Sequence, residues 1–278
     1  MKQQKSPVAV ITGAGGTLCS EMAYHLSQQG FRVALLGRRF EKLETVRNKI
    51  MEHGGEAMSL SVDVTDADIL EKSATKIIEA WGLPHVLING AGGNQEGAIT
   101  TQDEFDPAEL NSEDSIRGFF NLKPDVFRNV LEVNTMGTVL PCQIFGRAMA
   151  RLGEGCIINI ASMNSFKPLS RVPAYGMAKA GIVNLTQWLA VYLAPAGIRV
   201  NAIAPGFFLN DRNRSRLLTP DGVTERGANI LRQTPLKKFG EASELLGCVD
   251  WLINDTASGF VTGIVIPVDG GFLACSGI

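Results

Sequence analysis

The sequence predicts an α/β protein built on one doubly wound Rossmann fold of about seven parallel strands, with helices on both faces. Short apolar runs of strand length alternate with longer segments of helical period. Glycines punctuate the ends of the helical segments. No Pro-rich linker or low-complexity tract divides the 278 residues. Such alternation favours a single domain over residues 1–278, with right-handed crossovers and a ligand crevice at the carboxyl ends of the strands.

The individual elements follow in order along the chain. Two helical patterns are clearest: Leu43, Val46 and Ile50 precede Gly54, and a segment from Ile69 to Trp81 ends at Gly82. The predicted buried strands are Val8 to Ile11, Val33 to Leu36, Ala57 to Val62, Val86 to Ile88, Cys156 to Ile160, Val200 to Ala204 and Ile264 to Val268.

One segment breaks this rhythm. Residues 94–123 are polar, acidic and weakly periodic. Loops of this length inside a compact domain are usually functional or mobile. We expect an insertion close to the substrate site, either as a lid or as a source of direct ligands.

Composition excludes several classes of partner. With 26 Lys and Arg against 28 Asp and Glu, the formal charge is −2, so nothing attracts a nucleic-acid backbone. No apolar run approaches the roughly 18 residues of a membrane span, and the N-terminus lacks the apolar core of a signal peptide. The five cysteines and three histidines are scattered, which predicts reduced thiols, no metal site and a cytoplasmic location.

The turn after the first strand is rich in glycine. Glycines let the backbone approach a pyrophosphate, whose charge then meets the free amides and positive dipole of a helix N-terminus. A tight turn without any ligand has the same composition, so this signal alone is weak. The candidate cofactor contacts here are Gly13, Gly15, Gly16, Thr17 and Leu18.

Other candidate cofactor contacts follow later strands. Asp63 closes the third strand, where its carboxylate can accept an amino proton from adenine while the backbone of Val64 holds the ring. Taken alone, Asp63 is more typical of a helix N-terminal cap. A flexible stretch that can pass under a nucleotide, or form a plain turn, follows the fourth strand: Asn89, Gly90, Ala91 and Gly92.

After the sixth strand, Pro205 and Gly206 stop the chain and are expected to project Phe207 and Phe208 toward the crevice.

The end of the second strand distinguishes the two dinucleotides. An acid there binds the ribose 2′-hydroxyl of NAD, whereas an arginine accommodates the 2′-phosphate of NADP. In this sequence Gly37 stands at the position of that acid, and Arg38 and Arg39 follow it. The sequence therefore favours NADP(H), with NAD(H) as the alternative if both arginines are only solvated surface charges.

Candidate chemistry lies in the second half of the chain. Tyr175 and Lys179 stand four residues apart in a helical pattern, so they share one face. A nearby ammonium favours the ionised phenol, and Tyr175 can then exchange a proton with a substrate oxygen. Ser162 ends the fifth strand, where its hydroxyl can hold a carbonyl oxygen. Asn134 lies in a helical pattern, where its amide can bind a backbone carbonyl or a water.

Taken in order, these motifs resemble the short-chain dehydrogenase/reductase family from Val8 to Phe272. The motifs are the glycine turn, Asp63, NGAG at 89–92, Asn134, Ser162, YGMAK at 175–179, Pro205-Gly206 and VDGG at 268–271. The resemblance implies that Tyr175 is the general acid/base and that Lys179 tunes it and binds the nicotinamide ribose. It also implies that Ser162 orients the substrate carbonyl, that Asn134 holds a proton-relay water, and that the chain forms a homo-oligomer, usually a tetramer.

Three positions depart from the family pattern. Thr17 and Cys19 stand where further glycines are usual, which implies a rearranged pyrophosphate contact, with the Thr17 hydroxyl replacing a backbone approach. The family's usual NNAG motif is NGAG at residues 89–92, because Gly90 replaces the second asparagine. Asn210 replaces a threonine that commonly contacts the nicotinamide carboxamide, and it can still hydrogen-bond there.

The segment after Gly92 and the stretch 206–218 resemble the D-mannonate oxidoreductase (fructuronate reductase) subgroup. Amides and guanidinium groups suit the hydroxyls and the carboxylate of a sugar acid. Besides Ser162, the candidate substrate contacts are Asn94, Gln95, Arg212, Asn213, Arg214 and, as a further arginine of this stretch, Arg216.

The leading interpretation is a reductase that interconverts a secondary alcohol and a ketone of a sugar acid, D-mannonate and D-fructuronate. One alternative is a reductase of another ketone, of the 2-deoxy-gluconate or 3-oxoacyl type, although the balanced charge offers no basic dock for an acyl carrier. The other is a dinucleotide sensor without catalysis, which the presence of both Tyr175 and Lys179 argues against.

Overall fold

A seven-stranded parallel sheet forms the centre of the computed structural model, which describes residues 6–111, 116–210 and 213–276. The strand order is β3-β2-β1-β4-β5-β6-β9. A two-stranded antiparallel hairpin, β7 and β8, lies outside this sheet. The strands are β1 Val8–Thr12, β2 Arg32–Gly37, β3 Glu56–Ser61, β4 Val86–Asn89, β5 Gly155–Ile160, β6 Ile198–Pro205, β7 Leu218–Thr219, β8 Gly222–Val223 and β9 Val265–Val268. The doubly wound fold and all seven predicted strands are confirmed.

Helices cover both faces of this sheet. The α-helices are α1 Thr17–Gln28, α2 Phe40–Glu52, α3 Ala67–Trp81, α4 Pro124–Leu152, α5 Pro173–Leu193, α6 Arg214–Leu217, α7 Glu225–Gln233, α8 Leu246–Ile253 and α9 Asp255–Ser258. Short 3-10 helices span Glu96–Ala98, Pro107–Asn111, Phe119–Asn121, Met163–Ser165, Ala194–Ala196 and Ala242–Leu245.

Alternation along β1 divides the core into two layers. Ile11 faces a cluster that contains Met22 of α1. Its neighbour Val10 faces the opposite cluster, with Leu70 of α3 and Phe145 of α4. Successive strand side chains point to opposite faces, so a strand that is apolar throughout must be covered on both sides. The continuous apolar runs of the sequence have this cause.

The boundaries of α3 show how local chemistry ends a helix. The Asp66 carboxylate accepts a hydrogen bond from the Ile69 amide at 3.0 Å, which caps the N-terminus. At the other end Gly82 adopts φ of 95°, a conformation that favours glycine. The predicted end of this helix at Gly82 is confirmed.

The inserted segment is held to the rest of the fold by backbone and apolar contacts. The Arg117 guanidinium donates to the Ile99 carbonyl at 2.7 Å, which closes the segment on itself. The Thr100 amide donates to the Arg171 carbonyl at 3.0 Å, just before α5. Ala98 is fully buried and packs in one cluster with Ala174 and Tyr175. The segment therefore lies beside the first turn of α5.

Among the described residues, none of the helices has the length and apolar character that a membrane crossing requires. Within the same ranges, the His, Cys, Asp and Glu side chains form no group of three or more suited to a metal ion.

Candidate active site

A cavity of about 570 Å³ opens at the carboxyl ends of the central strands. It contains most of the predicted cofactor contacts. Those that line it are Gly13, Gly15, Gly16, Thr17, Leu18, Arg38, Arg39, Asp63, Val64, Gly90, Ala91, Gly92 and Asn210. Its walls also include residues that the motifs did not single out for contact: Cys19, Gly37, Lys42, Leu43, Val62, Val133 and Ile160.

Backbone groups pack closely at the floor of this cavity. The Thr12 hydroxyl, at the end of β1, accepts hydrogen bonds from the amides of Gly90 and Ala91 at 3.1 and 3.2 Å. Gly13 has φ of 68°, and a Cβ there would lie 2.7 Å from the Gly90 carbonyl oxygen. A side chain at Gly13 would separate the two strand ends. Thr12 is a positioning residue that the motif analysis missed, although it directly precedes the glycine turn.

Two of the departures from the family pattern meet in space. Cys19 lies in the first turn of α1, and its side chain is buried above the end of β4. A Cβ at Gly90 would lie 2.1 Å from the Cys19 Sγ atom, far inside van der Waals contact. Gly90 therefore leaves the space that the Cys19 thiol fills. Burial raises the pKa of this thiol to about 12, so it is a packing group rather than a nucleophile.

Asn89 has a different position from its neighbours in the glycine stretch. Its side chain is buried below the cavity, and its amide donates to the Asn159 Oδ1 atom at 2.9 Å and to the Cys142 Sγ atom at 3.1 Å. Asn159 in turn donates to the Thr186 hydroxyl at 3.0 Å. The side chain of Asn89 thus joins β4 to β5 and α5 and does not line the cavity.

The part of the cavity lined by Arg38 and Asp63 carries both signs of charge. The Asp63 carboxylate accepts hydrogen bonds from the Thr65 amide and hydroxyl, at 3.0 and 2.8 Å. Burial works to raise the pKa of Asp63, but these bonds and the nearby charge of Arg38 hold it below its usual value. Asp63 is therefore ionised at neutral pH. It is not the cap of α3, because Asp66 has that position.

Ser162 and Tyr175 come together where β5 ends and α5 begins. The Ser162 hydroxyl accepts from the Asn164 amide at 3.1 Å, which opens a short 3-10 helix. Burial raises the pKa of Tyr175, and a hydrogen bond from Ser162 acts in the opposite direction. The net pKa of this phenol lies above its ordinary value. The expectation that a neighbouring ammonium lowers this pKa is not met, because burial of the phenol is the largest influence on it.

Lys179 lies one helical turn after Tyr175 and is almost fully buried. Its ammonium donates to the Ile160 carbonyl at 2.6 Å and lies 5.7 Å from the centre of the Tyr175 ring. Burial lowers the pKa of Lys179 to about 8. Tyr175 and Lys179 therefore face the same region, as their spacing predicts, and both bear the cost of desolvation.

Asn134 is a fully buried clamp inside α4. Its Nδ2 group donates to the carbonyls of Gly93 and Val130, both at 2.7 Å, and its Oδ1 atom accepts from the Gly93 amide at 3.0 Å. The predicted contact with a backbone carbonyl is confirmed. A Cβ at Gly92 would lie 2.4 Å from Oδ1, so the glycine allows this approach. The clamp fixes the start of the inserted segment.

The chain after β6 turns away from the cavity at most of the predicted positions. Gly206 approaches Asp269 so closely that a Cβ would lie 2.6 Å from the Asp269 Cα atom. Phe208 is buried in the core, and its ring packs so closely on Gly240 that a Cβ there would lie 2.7 Å from the ring. Neither residue lines the cavity, nor does Pro205; Asn210 alone does so among these four. The expectation that Phe208 faces the crevice is therefore corrected, because its ring finds an apolar position in the core instead.

The predicted substrate contacts are only partly available to a ligand. Asn213 is used in a turn: its amide donates to the Phe208 carbonyl at 2.8 Å, and its Oδ1 accepts from the Asn210 amide at 2.9 Å. Gln95 lies 3.4 Å from the Asn129 amide, and Asn94 accepts from the next backbone amide. Arg214 is exposed at the start of α6. Arg212 lies outside the described residues.

The geometry can support proton transfer beside a dinucleotide. The Ser162 hydroxyl is hydrogen-bonded to the Tyr175 phenol, and a buried ammonium lies close to that phenol. The cavity wall includes Gly92 and Ile160, which lie beside this ammonium. Two hydroxyls in contact can hold one carbonyl oxygen, and the phenol can donate or accept its proton. These are the requirements for reduction of a ketone by hydride.

Comparison with known proteins agrees with this chemistry. The sequence matches the short chain dehydrogenase family over residues 7–219. It is 44% identical over 271 residues to the uncharacterized oxidoreductase UxuB of Bacillus subtilis, covering 97% of this chain and 96% of that protein.

Two crystal structures are similar over nearly their whole length. One, from Haemophilus influenza, is provisionally named a D-mannonate oxidoreductase and contains NAD; it is 41% identical with a TM-score of 0.92, covering 99% of this chain and 98% of the other. The second, from Beutenbergia cavernae, is provisionally named an NAD(P)-dependent gluconate 5-dehydrogenase and contains NADP. It is 31% identical with a TM-score of 0.80, covering 98% of both chains.

Proposed function

This chain belongs to the short-chain dehydrogenase family, and we propose that it interconverts a secondary alcohol and a ketone of a sugar acid, with D-mannonate and D-fructuronate as the substrate pair. That it is an NAD(P)-dependent dehydrogenase/reductase follows from the family and from its oxidoreductase relatives. The observation that carries the proposal is the contact of the Ser162 and Tyr175 hydroxyls beside the buried Lys179 ammonium.

In the direction of reduction, Ser162 and Tyr175 bind the carbonyl oxygen of the substrate. A reduced nicotinamide, when bound in the cavity, would supply the hydride that the carbonyl carbon accepts. Tyr175 donates its proton to the oxygen, which completes the alcohol, and is reprotonated from solvent. The raised pKa of Tyr175 keeps the phenol protonated at neutral pH and suits this direction.

We assign the remaining roles as follows. Lys179 holds the nicotinamide ribose and stabilises the phenolate that Tyr175 becomes. Asn134 keeps the backbone of Gly93 in place and, through the same loop, holds the water that returns a proton. A charged Lys179 beside the phenolate would offset part of the desolvation cost of proton loss from Tyr175.

The cofactor we favour is NADP(H). Arg38 and Arg39 line the cavity at the end of β2, and Gly37 offers no carboxylate to a ribose 2′-hydroxyl. A guanidinium here can bind the 2′-phosphate of NADP. NAD(H) is the alternative, and it is the dinucleotide in the 41% identical structure from Haemophilus influenza.

The sugar-acid assignment has two supports. The Haemophilus influenza and Beutenbergia cavernae structures are both provisionally named for sugar acids. Residues 94–123, which we place at the substrate side of the site, reach Tyr175 through the buried contact of Ala98.

Steady-state assays with a substrate panel test this proposal. The purified protein is incubated with D-mannonate, 2-deoxy-gluconate and the alcohol form of a 3-oxoacyl thioester, each with NADP+ and with NAD+. Reduction of nicotinamide with D-mannonate is expected. Tyr175→Phe should lose turnover and keep cofactor binding, whereas Tyr24→Phe, at a tyrosine of α1 that does not line the cavity, should behave like wild type.

Three results would contradict the proposal. If Tyr175→Phe kept full turnover, the assigned acid/base chemistry would be wrong. If only the thioester or deoxy-gluconate were oxidised, the chemistry would stand and the D-mannonate assignment would fail. Cofactor binding without turnover on any alcohol or ketone would favour a sensor.

We also propose a homo-oligomer of four copies in the cytoplasm. The large apolar side chains of Trp188, Val191 and Tyr192 are exposed along α5, an arrangement that a second copy can cover. Light scattering coupled to gel filtration measures the number of copies.

A further inference from the structure

Three arginines gather between the inserted segment and the turn before α7, outside the cofactor cavity. Arg171 lies two residues before α5, Arg216 lies in α6, and Arg226 lies in the first turn of α7. Arg226 interacts electrostatically with both other arginines and with Asp103 of the inserted segment. Three elements that are distant in sequence therefore bring cations to one place.

Within the part of the chain that the structure describes, the positive charge of this cluster is only partly balanced. Its described carboxylate, Asp103, already forms an ion pair with the Arg171 guanidinium. Among the described residues, Arg226 forms no ion pair with a carboxylate, and it is about half buried. Desolvation and the charges of Arg171 and Arg216 lower the pKa of Arg226. A cation near the N-terminus of a helix is also unfavourable. Such an arrangement costs stability unless an anion completes it.

The position of the cluster connects it to the reacting groups. Arg171 precedes Tyr175 by four residues, a length of chain that spans at most about 14 Å. Its carbonyl accepts the Thr100 amide at 3.0 Å, which holds the inserted segment against it. The hairpin that leads into α7 is fixed in turn, because the Thr224 hydroxyl donates to the Arg216 carbonyl at 2.8 Å. Arg171 is therefore tied to the inserted segment a short length of chain before Tyr175.

We propose that Arg226 and Arg171 bind the carboxylate of the sugar acid and thereby select anionic substrates. This inference rests on the proposed function and names the residues that recognise the acid. A guanidinium can bind a carboxylate through two parallel hydrogen bonds, which also orients the carbon chain. Binding joins the inserted segment to the start of α7, because Arg171 is held by the inserted segment and Arg226 lies in the first turn of α7.

The test compares Arg226→Met with Arg232→Met in the full-length protein. Arg232 is an exposed arginine of the same helix and is hydrogen-bonded to Asn229. The Arg232→Met variant therefore removes the same charge, but outside the cluster. KM for D-mannonate should rise at least about tenfold in Arg226→Met, with little change in kcat. It should be unchanged in Arg232→Met. Arg226→Lys, which keeps the charge and loses the paired geometry, should be intermediate.

D-mannitol, a neutral polyol with the same carbon chain, separates the possible failures. If wild type oxidises D-mannonate and Arg226→Met leaves its KM unchanged, the inference is overturned and the sugar-acid function stands. Equal losses on D-mannonate and D-mannitol would also overturn it, since they indicate a disturbed fold. If wild type neither binds a sugar acid in calorimetry nor oxidises one, the proposed function itself has failed.

Discussion

Replacement of Lys179 by methionine is expected to stabilise the protein while abolishing its activity. The pKa of Lys179 falls from its ordinary 10.5 to about 8 because the ammonium is buried. One pKa unit corresponds to about 1.4 kcal/mol, so keeping this lysine charged at pH 7 costs roughly 3 kcal/mol of unfolding free energy. The lost hydrogen bond to Ile160 returns about 1 kcal/mol, which leaves a gain of about 2 kcal/mol.

The sign of the pH dependence follows from proton binding. Below pH 8 both the folded and the unfolded chain hold the proton of Lys179, and the full penalty is present. Between about 8 and 10.5 the unfolded chain binds the proton more strongly, so wild-type stability rises with pH. Above that window the penalty is gone. The advantage of Lys179→Met should therefore shrink as the pH rises through this range.

Urea unfolding, followed by circular dichroism at pH 7 and near pH 10, measures this effect. Lys76→Met is the matched control, because Lys76 is an exposed lysine of α3 and its replacement should leave stability nearly unchanged at both pH values. The reasoning would be refuted if Lys179→Met were less stable than wild type at pH 7 by an amount that pH does not alter. A packing defect would give that result.

Three further predictions concern the cofactor cavity and the phenol. Gly90→Asn should destabilise the protein by about 1–3 kcal/mol, because the new Cβ would overlap the Cys19 thiol. In thermal unfolding, adding Cys19→Gly should recover part of this loss. Strict additivity of the two changes in stability would disprove the coupling. Arg38→Ala should weaken NADP+ binding at least about tenfold in calorimetry and leave NAD+ binding unchanged; equal NADP+ affinity would remove Arg38 from the site. Alcohol oxidation should accelerate as pH rises above neutral, because burial raises the pKa of Tyr175 and only the phenolate accepts a proton; a maximum rate on the acidic side would contradict this.

Much of the fold was predictable because its signals are local. Each of the seven strands is an apolar run short enough to be recognised alone, and a parallel sheet requires both of its faces to be covered. Ser162, Tyr175 and Lys179 were likewise predictable, since a strand end and one helical turn place them together. The sequence predicts that the Asn134 amide binds a backbone carbonyl or a water, and in the structure it donates to two backbone carbonyls.

The sequence was a poorer guide to the direction in which individual side chains point at the ends of strands. Asn89 and Gly90 are neighbours, yet the side chain of Asn89 enters the core while Gly90 lies under the cavity. Phe208 was expected in the crevice and is buried instead. Successive residues of an extended chain point to opposite sides, so a shift of one residue exchanges cavity for core.

The sequence by itself determined the order of strands and helices, the glycine turn and the residues of the proton-transfer group, because each depends on spacing within a few residues. Tertiary structure alone decided that Cys19 fills the space above Gly90 and that Arg226 meets Arg171. It also decided that burial raises the pKa of Tyr175 and lowers that of Lys179. Contact between distant segments and exclusion of water arise only when the sheet, the inserted segment and α7 pack together, and both set the energy of a charge.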